Sequence, residues 1–239
     1  MSSPCENCHA GCCRAFVVPI TGSDVLRIEK TGLTFWDFAV RWSDPDGQIA
    51  RRLAPQLYFA DAGDEPFVLG LMHTASETLP GSGRCRFLRE TTPTEDTPLG
   101  RGECGLYEHR PATCRVFPAK FDSGRELVQL EPIAQNGRPA DPHPAYSMCP
   151  REWTARDLDA VETPAAIATA EHEMTFFHKV AALWNRRRGD WVDFPPFLRL
   201  VYGARLRGVG DSAGDSRADD TTPATIPFVR PATSDRLAA

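Results

Sequence analysis

Half of the chain's eight cysteines fall within nine positions near its start, where Cys5, Cys8, Cys12 and Cys13 read C-x-x-C-x-x-x-C-C. Four thiols so close in sequence do not suit ordinary core packing, because free cysteines are usually buried one at a time. A Cys-x-x-Cys loop instead folds back so that two sulfurs point at one centre, the clamp used for zinc and for iron–sulfur clusters. The adjacent pair is the unusual feature. In extended chain, neighbouring side chains point to opposite faces. That predicts that one of Cys12 and Cys13 completes the Cys5/Cys8 centre while the other reaches a different one. Cys85, Cys104, Cys114 and Cys149 can supply the remaining ligands. The fold is expected to wrap on metal.

At 239 residues the chain can form one ample core or two modest domains. Its 41% hydrophobic and 25% charged content is that of a soluble globular protein. A net charge of -5 argues against a broad nucleic-acid footprint, which needs a basic face. No apolar run approaches the roughly 20 residues that span a bilayer, so no membrane partner is expected. The first residues lack the basic and apolar regions of a secretory signal. The expected compartment is cytoplasmic, where eight thiols favour metal over disulfides.

The chain then alternates short elements. Residues 15–20 read as a β-type run. Thr21 and Ser23 offer caps for a helix over 24–30, and Thr34 caps a second whose apolar face carries Phe35, Trp36, Phe38 and Val40. Asp44-Pro45-Asp46-Gly47 is a turn signal, 67–72 a buried strand, and 89–103 a Thr-, Pro- and Gly-rich loop expected to be mobile. Pro111 suits the first turn of a short helix that brings Cys114 back toward Cys104, with Pro118 ending it. A strand is expected over 126–131, and a Pro-rich loop at 139–144 delivers Cys149. From residue 165 to 188 apolar positions recur with helical spacing, closed by Arg186, Arg187 and Arg188 where cations oppose the helix terminus. One more short helix fits within 190–207. From 208 onward few bulky residues remain, and that tail reads as disordered.

Among the histidines, His9 lies inside the cluster loop and His109 in a turn. His172 and His178 are spaced by six on the long helix and share no face, which suits solvated positions. No Gly-rich phosphate loop, nucleophile elbow or His-Glu-x-x-His signature is present. Arg110 and Arg115 stand beside cysteines and are candidates to offset the charge of a thiolate centre.

Taken together, the N-terminal cluster, Cys85-Arg86-Phe87-Leu88, Cys104-Gly105-Leu106-Tyr107-Glu108-His109-Arg110-Pro111 and Cys114-Arg115-Val116-Phe117-Pro118 resemble the YkgJ-like CxxCxxCC cysteine-cluster family. The match covers about residues 5 to 150. The chain departs from the motif in having three residues, not two, between Cys8 and Cys12. The resemblance implies a zinc- or iron-chelating protein described by its set of eight cysteines. A flagellin lysine N-methylase is similar to this family in its cysteine region and needs an iron–sulfur cluster, though nothing in this chain marks a methyl-donor site.

The expected fold is α+β: a small, irregular, metal-knotted cysteine-rich domain over 1–150, with helices over 151–207 packing on it and a tail over 208–239. The expected function is binding of an iron–sulfur cluster or Zn²⁺ by all-thiolate ligation through Cys5, Cys8, Cys12, Cys13, Cys85, Cys104, Cys114 and Cys149, as a carrier, sensor or accessory factor. The alternatives are a cluster-dependent protein-modifying enzyme and a zinc-stapled interaction module. Metal ions are the only partner the sequence names.

Overall fold

The computed structural model describes residues 10–50, 54–95, 100–122, 124, 127–130 and 154–211. The fold is α+β, built from helices and four separate antiparallel strand pairs. Ala10 sits at φ 57°, in the left-handed region, and turns the chain into a one-turn helix α1 (Gly11–Ala15). The strand expected over 15–20 is replaced by the end of that helix and an extended run, which touches the sheet at a single bridge, Pro19 to Gly70.

Helix α2 (Gly22–Glu29) begins at the expected Thr21 cap, and a capping box with Asp24 closes it. Thr34 and Asp37 make a second box for α3 (Phe35–Phe38). This helix is shorter than its apolar spacing suggested, because Val40 already lies in β1 (Ala39–Ser43). Strand β1 pairs with β2 (Phe67–Leu71), and all five β2 residues are buried, as a continuous apolar run requires. The turn at 44–47 forms where expected, with the Gly47 N–H donating to the Asp44 carbonyl at 3.0 Å.

Three more hairpins carry the middle of the chain. Strand β3 (His73–Ala75) pairs with β4 (Gly83–Cys85), β5 (Leu88–Glu90) with β6 (Gly102–Cys104), and β7 (Ala119–Phe121) with β8 (Val128–Leu130). Of the segment expected as a mobile loop, the two ends are strand-paired and joined further by a bond from the Thr91 N–H to the Arg101 carbonyl, 2.9 Å, while 96–99 lie outside the described residues. A short helix α4 (Ala112–Val116) lies between β6 and β7.

The C-terminal half is helical. Helix α5 (Glu162–Arg186) starts three residues before the expected position, with Pro164 accommodated in its first turn. Helix α6 (Phe194–Asp211) is a full helix of 18 residues, longer than expected, and it takes in the first positions assigned to the disordered tail. Its Pro195 and Pro196 also fall in a first turn, where no intrahelical N–H is lost.

One apolar cluster joins the two halves. Ile20, Ile28, Phe35, Phe38, Leu57 and Phe59 pack with Phe177, Trp184, Phe194 and Leu198. Phe59 meets Trp184, Trp191 and Phe194 in ring contacts of 5.7, 5.1 and 5.5 Å between centroids. Polar groups fix the register of that contact. The Trp184 indole and the Asn185 amide donate to the carbonyls of Tyr58 and Gln56, each at 2.9 Å, and the Asn185 amide oxygen accepts from the Tyr58 N–H at 3.0 Å. These side chains satisfy the backbone of 56–58, which runs against a helix that has no backbone groups to spare. Arg188, expected to oppose the helix terminus, also pairs with Asp64 at 2.7 Å and lies over the Tyr58 ring at 4.8 Å.

Candidate metal centre

Five of the eight predicted ligands lie among the described residues: Cys12, Cys13, Cys85, Cys104 and Cys114. Cys5, Cys8 and Cys149 lie outside them, as does His9. The five come from four elements. Cys12 and Cys13 sit on α1, Cys85 ends β4, Cys104 ends β6 and Cys114 lies on α4. Helix α1 packs on β4, and Cys85 belongs to the main core, with Cys13, Cys104 and Cys114 packed against it.

These thiols share one neighbourhood. Cys12 is within electrostatic reach of Cys13, Cys85, Cys104 and Cys114, and Cys85 and Cys104 are both within reach of Cys114. The expected divergence of Cys12 and Cys13 does not occur. On a helix, adjacent residues are separated by about 100° of arc rather than 180°, and the two Sγ atoms lie 4.0 Å apart. Two thiolates on one tetrahedral ion, with metal–sulfur bonds of about 2.3 Å, stand roughly 3.8 Å apart. The Cys12/Cys13 pair fits that span, and its soft, all-sulfur chemistry suits zinc or iron. Among the described residues, no group of three or more His, Cys, Asp or Glu side chains stands close enough to hold a metal ion unaided.

Burial sets the protonation of the thiols. It pushes Cys85 up to about 11, raises Cys104, and raises Cys114 well above the ordinary thiol range, where neighbouring sulfurs add to it. Cys13 is raised first by its hydrogen bond with Cys12 and then by burial. Arg110 and Arg89 pull the other way at Cys104. Left to themselves, these four thiols are neutral at pH 7. A cation placed among them reverses that preference, because it stabilises each thiolate directly.

Two charged networks, absent from the sequence reading, hold the cysteine-bearing elements. The first is centred on Glu90 of β5, whose side chain is only 1% exposed. Its carboxylate accepts from Ser76 at 2.6 Å, the Glu77 N–H at 2.8 Å and Thr78 at 3.0 Å, and pairs with Arg14 of α1 at 2.5 Å and Arg84 of β4 at 3.0 Å. Arg14 follows Cys13 directly, so this knot ties the cysteine helix to two hairpins. Gly102 permits the approach: a Cβ there would stand 2.4 Å from the Ala10 Cβ and 2.8 Å from Leu88.

The second network is centred on Asp24, 1% exposed on α2. Besides capping its own helix, its carboxylate pairs with Arg27 and accepts the Ala112 N–H at 3.0 Å, at the start of the helix that carries Cys114. Arg27 also donates to the Arg110 carbonyl at 2.9 Å, and the Thr113 hydroxyl to the Pro19 carbonyl at 3.2 Å. The only sequence signal for Asp24 was an acid in a helix's first turn, which accounts for its cap and not for its partner 88 residues away.

The two helix histidines follow the sequence reading. His172 and His178 are exposed on α5, and His109 is half-buried in the turn Tyr107–His109.

A family model described as "CxxCxxCC: Putative zinc- or iron-chelating domain" matches residues 4–136, more than half of the chain. The chain belongs to the CxxCxxCC family. No curated protein and no solved structure matches it. The CxxCxxCC region takes in seven of the eight cysteines and every element that carries a described one, so the family assignment and the gathered thiols fall on the same stretch. Cys149 lies beyond the matched residues. No helix among the described residues is long and apolar enough to cross a membrane.

Proposed function

We propose that this protein binds zinc or an iron centre through thiolates alone and serves as a carrier, sensor or accessory factor. The eight cysteines are the proposed ligands, residues 1–150 the metal-binding domain, and 151–207 the helical support packed on it. The observation that supports this reading is that Cys13, Cys85, Cys104 and Cys114, carried by four separate elements, all lie within electrostatic reach of Cys12. Independent cysteines placed for packing have no reason to collect in one neighbourhood. Arg110 and Arg89 lie where they offset the negative charge that thiolate ligation creates.

The raised thiol values give the test. Loading at pH 7 must expel a proton from each neutral thiol that becomes a ligand, roughly four for one tetrahedral centre. Apparent affinity should therefore rise steeply between pH 6 and 8. Anaerobic calorimetric titration of the apo-protein with Zn²⁺ or Fe²⁺, in buffers of different ionisation enthalpy, measures the number released. A value of three or more per ion fits the reading. A value near zero contradicts it, because the ion would then sit on groups already deprotonated.

A further inference from the structure

At the joint between α2 and α4, two hydrogen-bond donors find no acceptor among the described residues. The Nε–H groups of Arg27 and Arg110 are both enclosed, and neither has a partner among the described residues. A buried N–H left unpaired costs about 1–3 kcal/mol, so two at one joint call for an explanation. Arg115 lies within electrostatic reach of both Arg27 and Arg110, which makes three guanidiniums in one neighbourhood.

The acids nearby act on Arg27 and Arg115 but accept from neither unpaired N–H. Asp24 is committed on both oxygens. Its Oδ2 accepts from Thr21, and its Oδ1 takes Arg27 Nη2 and the Ala112 N–H. Glu108 acts on Arg115, which spends its own donors on the carbonyls of Arg110 and Glu108. The Arg110 guanidinium carbon lies over the Tyr107 ring, 3.9 Å from its centroid, a contact that restrains the side chain before any ligand arrives. It is also within electrostatic reach of Cys104. Planar guanidinium forks of this kind match the two-oxygen edge of a carboxylate or phosphate.

We infer that Arg27, Arg110 and Arg115 form a receptor for a small oxyanion, a carboxylate or a phosphate group, beside the thiol cluster. Arg27 and Arg110 supply the inner donors. Arg115, the exposed member, adds a third guanidinium from the solvent side. The site stands whether or not the thiols hold metal, and its test uses metal-free protein so that the two readings fail separately.

The experiment is a thermal-shift and calorimetric titration of the full chain with sodium phosphate and, separately, sodium succinate, against sodium chloride at equal ionic strength. Three variants accompany it. Arg110→Lys keeps the charge and loses the fork, Arg115→Gln alters an exposed residue, and Arg89→Gln removes a cation near Cys104 that lies outside the trio. The expected result is saturable binding of phosphate or succinate with a rise in Tm of several degrees, whichever of the two saturates naming the ligand class. Affinity falls at least tenfold in Arg110→Lys and Arg115→Gln and stays within twofold in Arg89→Gln. Failure of both anions to saturate beyond the chloride effect overturns the proposal. So does equal weakening in all three variants, since that is general charge attraction.

Discussion

Replacing Asp24 with alanine should cost about 3–5 kcal/mol, the largest loss expected from any single change outside the cysteines. The change removes the acceptor for the Thr21 backbone and hydroxyl and for the Ala112 N–H, and leaves Arg27 without its carboxylate. Broken caps contribute about 1 kcal/mol; the larger part comes from a partly buried guanidinium and an N–H left uncompensated. Against a total stability of about 5–15 kcal/mol for a domain, such a loss populates the unfolded state appreciably. Because Asp24 bridges α2 to the helix carrying Cys114, the effect should also be local. Cys114 should become reactive toward a thiol reagent at urea concentrations where the wild-type thiol is still protected. A urea midpoint within about 1 kcal/mol of wild type would mean that Asp24 is only a helix cap.

The second large effect concerns Glu90 and acid. Burial alone would raise this carboxyl, but donation from Ser76, the Glu77 N–H, Arg14 and Thr78 outweighs it and holds the group at about 2, below the usual 4.5. A group whose folded value is depressed contributes its stability above its unfolded value. That stability is lost as pH falls from about 5 towards 2, and here it amounts to roughly 3 kcal/mol. Glu90→Gln should remove most of this pH dependence and destabilise the protein at neutral pH, because Arg14 and Arg84 each lose a buried carboxylate partner, Arg84 keeping its pair with the exposed Glu77. Denaturant melts of both proteins at pH 7, 5 and 3 separate the cases. Parallel curves for wild type and variant would show that Glu90 does not carry the acid sensitivity.

The two networks also show where sequence reasoning stops. Cysteine is chemically distinctive, so all eight candidates could be named from residue type and spacing alone. Thr21 and Thr34 were legible as caps because a capping box spans only four residues. Asp24 and Glu90 were not legible as anchors. Their partners lie up to 88 residues away, and a Leu-Arg-Glu strand or an acid in a first helical turn reads as an ordinary exposed position. The geometry of Cys12 and Cys13 was misread for a different reason. Helix α1 is a single turn entered through a left-handed alanine, too short to leave any periodicity. Extended chain was the natural expectation, and it predicted two thiols facing apart. The strand pairs around Cys85 and Cys104 are three residues long and alternate weakly, so they left no signal, whereas the buried run of β2 and the stretch holding β8 were both read as strands.

The gathered thiols are the centre of the account, and X-ray absorption at the metal edge of anaerobically loaded protein tests them most directly. All-thiolate ligation predicts a first shell made of sulfur at about 2.3 Å, with no nitrogen or oxygen scatterer at 2.0–2.1 Å. It also predicts loss of sulfur from that shell when Cys12 and Cys13 are both replaced by serine. A first shell dominated by nitrogen or oxygen, or one unchanged by that double replacement, would contradict the assignment of these cysteines as the metal site.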